Sequence, residues 1–218
     1  MAYTTLSILF LFYLNEVTSQ MVRTSPSAIF PGLSAGGGRG SEAFLFAANQ
    51  AALPDSAGLY IGILSERKFG LRELEAHQVA VLIPVHSAYV AVSGTHSGSL
   101  QYREGGLGLA YGLNLGSMVS AGVQFNHYVV RTKGYGGAST TTIEGGLKLR
   151  LTPQLQFGVH LYNPTRSKWS KGEGARLPRV YTLLLAYEVS EKVALQTALR
   201  KTEGAAAGVM CVLEYDFA

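Results

Sequence analysis

The residues best able to do chemistry are five histidines, one cysteine and a stretch rich in serine and glycine. The histidines match no metal-binding spacing and are spread along the chain: His77, His86, His96, His127 and His160. The stretch 93–99 contains Ser93 and His96, but no acidic partner is readable from the spacing, so we interpret it as a loop rather than a hydrolase site. Cys211 has no second cysteine for a disulfide or a thiolate metal site. The sequence therefore predicts no enzyme, no metal and no cofactor.

A glycine run at 36–40 is the next candidate, because glycine-rich loops bind phosphate. A phosphate loop needs a lysine at a fixed distance after the glycines and a strand before them. The run has neither, so we reject that function. Two interpretations remain for the surrounding segment 20–56. It is either a flexible lead into the first strand, or it contains a short helix at 41–52 that plugs the fold.

Two groups of charged residues are candidates for conduction or binding. Glu144, Lys148 and Arg150 share one face of a strand, where they would either tune ion passage through a lumen or close it by internal salt bridges. The second group, which we call the basic rim, lies in the stretch 163–179 and consists of Arg166, Lys168, Lys171, Arg176 and Arg179. Arg and Lys bind phosphate well, so the rim would meet lipopolysaccharide, or it is a solvated loop.

Composition narrows the class of protein. Charged residues make up 15% of the 218 residues, below the roughly 25% of soluble domains, and Gly is frequent at 26. A hydrophobic share of 47% argues against disorder. The net charge of +4 comes with no nucleic-acid motif, and it suits an anionic lipid surface. These values favour an all-β chain that does not bind nucleic acid.

The longest apolar run, 6–14, is too short for a membrane helix, which needs about 20 residues. It has the length of a signal-peptide core, and small residues before position 20 allow cleavage after Ser19. The first basic residue is only Arg23, so a buried strand or a short core helix is the alternative. The predicted division is a signal peptide at 1–19, the glycine-rich segment at 20–56 and a β-barrel at 57–218.

Apolar residues alternate with small or polar ones along most of the chain after residue 57. In 141–151, for example, Leu147 and Leu149 face one way while Lys148 faces the other. The pattern predicts ten strands, within about two: 57–65, 75–84, 88–95, 106–115, 119–126, 141–151, 155–162, 181–188, 193–200 and 209–217.

Three features favour a membrane barrel over a soluble sandwich. The face opposite the apolar one is small and mostly uncharged, as in a narrow lumen. Tyr181 and Tyr187 end one apolar face, as in the aromatic girdles of membrane barrels. Long connections, such as 131–140 and 95–103, alternate with short ones. The residues predicted to face the lumen are Gln124, Asn126, Glu144, Lys148, Arg150 and His160.

The predicted fold is all-β, an antiparallel transmembrane β-barrel of about ten strands (eight to twelve) with a short N-terminal helical or plug segment. Such a barrel belongs in the outer membrane of a Gram-negative bacterium. Ten strands would place both termini on the short-turn, periplasmic side. Gly and Ala on the inner face would leave room for something else inside.

The segment 36–53 resembles the N-terminal signature of PorV/PorQ-like outer-membrane barrels, which are related to FadL-type transporters. Asn49, Ala51 and Leu53 match its Asn-Pro-Ala-x-Leu motif, with Gln50 in place of Pro. Asn163-Pro164 and the stretch 213–217 are similar to further segments of that group. Those proteins usually have additional strands, which puts functions carried by such strands in doubt.

The resemblance implies a non-enzymatic accessory or anchoring component, similar to the type IX secretion group. Its partners would be outer-membrane lipid, lipopolysaccharide and other secretion-system or outer-membrane proteins. The FadL relation implies instead a passive channel or a transporter of hydrophobic solutes. A third alternative is a soluble β-barrel binding protein whose apolar face is the interior.

Overall fold

The fold is a single antiparallel sheet. The computed structural model describes residues 4–12, 42–53, 58–171, 176–190 and 192–217. Within these ranges each strand from β2 to β11 pairs with the next in sequence, β1 pairs with β11, and β1 and β2 end the ladder. The strands are β1 (Thr4–Phe12), β2 (Tyr60–Arg67), β3 (Glu75–Val85), β4 (Ala88–Gly98), β5 (Tyr102–Asn114), β6 (Val119–Thr132), β7 (Gly136–Arg150), β8 (Leu155–Tyr162), β9 (Val180–Ser190), β10 (Val193–Thr202) and β11 (Ala207–Phe217).

The predicted all-β, antiparallel fold is confirmed, and the ten predicted strands correspond to β2–β11. Strand β1 was not among them. It lies within the predicted signal peptide 1–19, and the rest of that segment falls outside the described residues, as does the glycine run 36–40. The signal peptide stays a prediction.

Two predicted loops are wrong. The stretch 131–140 is mostly strand, since β6 and β7 stay paired as far as Thr132 and Gly136 and only three residues turn. The stretch 95–103 likewise belongs mainly to β4 and β5, so the interpretation of 93–99 as a loop is also wrong. Backbone pairing continues beyond the alternating apolar residues, and alternation alone therefore places these strand ends too early. The long connection is 163–179.

The sheet exposes its apolar face and buries its polar face, which is the reverse of a soluble protein. Leu107 and Leu109 on β5 are 68% and 54% exposed, whereas Gln124 and Glu144 are each 5% exposed. Soluble sheets bury their apolar face and leave Glu and Gln in water. The alternative with an apolar interior is therefore contradicted. The exposed apolar positions of β5 continue to Leu115, just after the strand, about 27 Å along the chain from Leu107. At the 35–45° tilt of membrane strands this length spans about 20 Å, most of an apolar band roughly 25 Å tall.

Residues 42–53, which we call the inner segment, lie on the buried face. The segment has a 3-10 turn at Glu42–Phe44 and one α-helical turn, α1 (Leu45–Ala48), so its helix is shorter than the predicted 41–52. Phe44 contacts β2 at Gly62, and Asn49 contacts β8 at Gly158.

A flat array from β2 to β8 would be about 29 Å wide. Phe44 and Asn49 are five residues apart, at most about 17 Å of extended chain, yet they contact its two ends, so the sheet curves around the inner segment. No helix among the described residues is long and apolar enough to span a membrane.

Candidate functional site

The candidate site is the polar inner face together with the inner segment. Its floor consists of four glycines that we call the glycine seat. Gly112, Gly122 and Gly146 form one row across β5, β6 and β7, and Gly158 lies beside them on β8. A Cβ at Gly112 would lie 2.6 Å from the carbonyl oxygen of Gln50, and one at Gly158 would lie 3.1 Å from Asn49 Nδ2. The absence of side chains at the seat is what admits the inner segment.

Asn49 fixes the segment to the backbone of the seat. Its Nδ2 donates to the carbonyl oxygens of Leu147, at 3.3 Å, and Val159, at 3.5 Å. Its Oδ1 accepts from the backbone N–H of Ala51 at 3.0 Å. Asn49 is fully buried, so each of these bonds replaces one with water that the side chain cannot make.

Gln50 connects the segment to a buried polar cluster on β6, β7 and β8. Its Nε2 donates to Gln124 Oε1 at 3.3 Å and to Glu144 Oε2 at 3.2 Å. Glu144 also accepts from Asn126 Nδ2 at 2.6 Å and bonds to His160 Nε2 at 3.0 Å. A buried carboxylate is costly unless donors surround it, and these three side chains provide them.

The other half of the segment packs through apolar contacts. Phe44, Phe46 and Leu53 form a buried cluster with Leu82 of β3 and Ala110 of β5, among others. The inner segment therefore makes apolar contacts on one side of the inner face and hydrogen bonds on the other. Its apolar residues lie against β2–β5, and its amides lie against β6–β8.

Most of the residues predicted to face the lumen lie together on this face. Gln124, Asn126, Glu144 and His160 form the polar cluster, and Lys148 is buried on the same face of β7. Arg150 is instead exposed at the end of β7. Alternation placed these residues on one face, but their hydrogen bonding depends on register and on Gln50, which the sequence analysis noted only as a departure from the family motif.

The basic rim is organised by an acidic residue from another connection. Glu203, which follows β10, accepts from Arg166 Nη2 at 2.8 Å and from the backbone N–H of Arg179 at 3.4 Å. Lys168 and Arg176 form a β-bridge. Lys171 and Arg176 are exposed. The sequence analysis missed Glu203 because it lies outside the stretch 163–179.

Asn163 and Pro164, from the family signature, begin this connection. Asn163 is fully buried with φ near 50°, a conformation that Asn tolerates better than most residues. Its Nδ2 donates to the carbonyl oxygen of Leu177 at 2.8 Å, and its Oδ1 accepts from the backbone N–H of Ser167 at 2.9 Å. Asn163 therefore ties both ends of the connection together, which is a structural role.

The histidines and Ser93 do not assemble into a reaction centre in the described part of the chain. Ser93 is buried, whereas His96, three residues later on the same strand, points to the other face. His77 and His127 lie on the exposed face, where they bond to Ser65 and Thr141. No group of three or more His, Cys, Asp or Glu residues there is placed to hold a metal ion.

Comparison with known proteins gives distant matches of fold only. No protein-family model matches the chain, and no curated protein matches it. The chain is similar to a solved KdgM porin at 10% identity and a TM-score of 0.48, over 73% of this chain and 92% of that one. It is similar to a KdgM porin in complex with disordered oligogalacturonate at 12% identity, with the same TM-score and coverage. At a TM-score below 0.5 these likenesses do not indicate what this chain binds.

Proposed function

We propose that this protein is a non-enzymatic β-barrel of a Gram-negative outer membrane, with a polar lumen that passes small hydrophilic solutes when the inner segment moves. The observation that carries the proposal is the reversed burial of the sheet, with Leu107 and Leu109 exposed and Gln124 and Glu144 buried. In a membrane barrel the apolar residues face lipid and the polar ones line the interior.

The chemistry of the lining favours a hydrophilic solute over a hydrophobic one. Amides, a carboxylate and an imidazole converge around Gln50, and such groups bind water and polar solutes readily. A transporter of hydrophobic solutes would need an apolar route. The apolar part of the inner face, around Phe46 and Leu82, is already filled by the inner segment.

The contacts of the inner segment support a lumen that is closed at rest. Asn49 and Gln50 are almost fully buried, and their bonds span β6 to β8. Opening would break those bonds while leaving the strand ladder intact. The segment would then act as the plug that its sequence predicts.

The basic rim suits the outward-facing mouth of such a barrel. It lies in the stretch 163–179, the longest connection between β2 and β11, and Arg131 and Lys133 at the β6–β7 turn add positive charge at the same end. We propose that this end faces outwards, where Lys171 and Arg176 would contact lipopolysaccharide phosphates. The turns at the opposite end, such as 86–87, 115–118 and 151–154, and with them both ends of the β2–β11 array, would then face the periplasm.

An accessory or anchoring role, as the PorV/PorQ resemblance implies, is the second candidate. The observation in its favour is the same burial of Asn49 and Gln50, because a permanently plugged barrel serves as an anchor and not as a passage. Its partners would be other secretion-system or outer-membrane proteins.

Single-channel recording in planar bilayers separates the two functions. For a channel we expect rare openings in the wild type and frequent openings in Gly146→Ala, in which the added Cβ displaces Asn49. Gly145→Ala on the opposite face is the matched control and should behave as the wild type. Silence from all three proteins would contradict the channel and favour the anchor, whose partners would then be sought by cross-linking in the outer membrane.

A further inference from the structure

Strand β2 offers a hydrogen-bonding edge for another strand. Among the described residues β2 pairs with β3 only, while β11 pairs with β10 on one side and with β1 on the other. Lipid cannot satisfy the N–H and C=O groups of an open edge, so a membrane-embedded sheet has to close. The curvature of the sheet around the inner segment already turns its β2 end inwards.

We propose that β2 pairs antiparallel with β11 to close a ten-stranded barrel, and that Thr4–Phe12 holds the place of β2 on β11 until that segment is removed. Ten consecutive antiparallel strands make β2 antiparallel to β11, which is the direction that β1 now has. The proposal concerns the closure of the barrel. It does not depend on whether the barrel conducts.

The faces of the two strands restrict the register. On β2, Tyr60 and Gly62 face inwards and Ile61 faces outwards. On β11, Val212 is buried and Met210 packs on the inner apolar cluster, while Val209 is exposed. Inward residues must lie opposite inward residues, because a shift by one residue would turn every side chain of β2 to the wrong face. Only every second register is therefore allowed.

The tilt of a barrel restricts the register further. The stagger is the number of residues by which the hydrogen-bonded register is shifted after one full turn around the barrel. Ten strands about 4.8 Å apart give a circumference of about 48 Å. A stagger of about ten residues, or about 34 Å, then gives a strand tilt of about 35°. A stagger of about eight residues gives about 30°, below the 35–45° that barrels adopt.

The starting point of this stagger can be read from the ladder. The row of directly paired residues that begins at Tyr60 on β2 crosses the sheet to Thr202 on β10. Because Lys201 pairs with Ala207, this row reaches position 206, just before β11. A stagger of about ten residues places Tyr60 opposite Asp216 and Arg67 opposite Val209, so that all of β2 lies along β11. A stagger of about ten residues therefore pairs the whole of β2 with described residues of β11, whereas one of about twelve leaves Tyr60 beyond Phe217 and places Arg67 opposite Cys211.

Strand β1 occupies this same stretch. It pairs Thr4 with Phe217 and Phe12 with Val209, so β1 and β2 cannot both be paired with β11. Removal of the predicted signal peptide 1–19 would free the edge that β2 needs. The segment would thereby prevent closure before export is complete.

The native Cys211 provides the test. In the proposed closed barrel Ser65 lies opposite Cys211, whereas in the β1-paired sheet Phe10 lies opposite Cys211. Residues directly opposite each other have Cβ atoms about 4.5–5.5 Å apart, and diagonal ones are about 7–8 Å apart, too far for a disulfide. The full chain is expressed into the outer membrane with one added cysteine, oxidised, denatured, and run without reductant to detect the intramolecular cross-link.

We expect Ser65→Cys to cross-link at least several-fold more than Ile63→Cys and Arg67→Cys, which lie two residues away on the same face. A strongest cross-link from Ile63→Cys or Arg67→Cys would overturn the register. Cross-linking of Phe10→Cys but not of Ser65→Cys in the membrane-embedded protein would overturn the displacement of β1. Failure of all four variants would overturn closure between β2 and β11. Cys211→Ser in each background shows that a band depends on the native thiol.

Discussion

Addition of a single methyl group at Gly146 should loosen the inner segment without disturbing the barrel wall. In Gly146→Ala the new Cβ would overlap Asn49 Oδ1 and lie 3.0 Å from the backbone nitrogen of Gln50, so the segment must shift. The shift weakens the two bonds from Asn49 to the strand carbonyls, worth about 0.5–1.5 kcal/mol each. Overpacking adds about 1–3 kcal/mol. Because the two bonds are weakened and not lost, we count about half of their worth, which gives a combined cost of about 2–4 kcal/mol.

Amide hydrogen exchange of residues 42–53 measures this cost directly. Since 1.4 kcal/mol corresponds to a factor of ten, exchange in the segment should accelerate roughly 30- to 700-fold. Gly145→Ala is the control, because a Cβ there meets only the carbonyl oxygen of Gly122, at 3.9 Å. Both variants replace Gly by Ala, so both reduce the backbone freedom of the unfolded chain by the same amount. Unchanged exchange in Gly146→Ala, or equal acceleration in both variants, would refute the role of the seat.

Three further predictions concern the polar cluster, the long connection and the basic rim. Glu144→Ala leaves three buried donors without their acceptor, and urea unfolding from lipid vesicles should show a loss of about 3 kcal/mol; a loss below about 1 kcal/mol would contradict the cluster. Asn163→Ala should destabilise the connection by about 2–3 kcal/mol and speed its cleavage by protease at least tenfold, whereas the exposed Thr165→Ala should change little; equal rates would contradict the tie. Under a KCl gradient, Lys171→Gln with Arg176→Gln should shift the reversal potential of open channels towards cation preference, and an unchanged potential would contradict a charged mouth.

Alternation was sufficient to predict strands β2–β11 and to divide their inner face from their outer face. It works because each strand has one face of exposed apolar residues and one buried face of small and polar residues, so a period of two runs along most of the strand. It fails where that contrast ends. Beyond the apolar band of β6 and β7, Arg131 still pairs with Gly137, but neither face is required to be apolar.

The glycine seat and the hydrogen bonds of the site were beyond the reach of the sequence. Gly112, Gly122 and Gly146 become one row only when the registers of three strands are known, and sequence alone does not give registers. The helix predicted at 41–52 was too long for a related reason. So short a helix has little stability of its own, and the contacts of Asn49 and Leu53 with the sheet decide the conformation.

The central claim is that the sheet is a membrane barrel with its apolar face in lipid. The most direct test is to express the full chain in a Gram-negative host, extract the outer membrane with detergent, and run boiled and unboiled samples on one gel. The account predicts that the protein is in the outer-membrane fraction and migrates differently when unboiled, because a closed barrel stays folded in detergent. Recovery in the soluble fraction with no shift in mobility would contradict it.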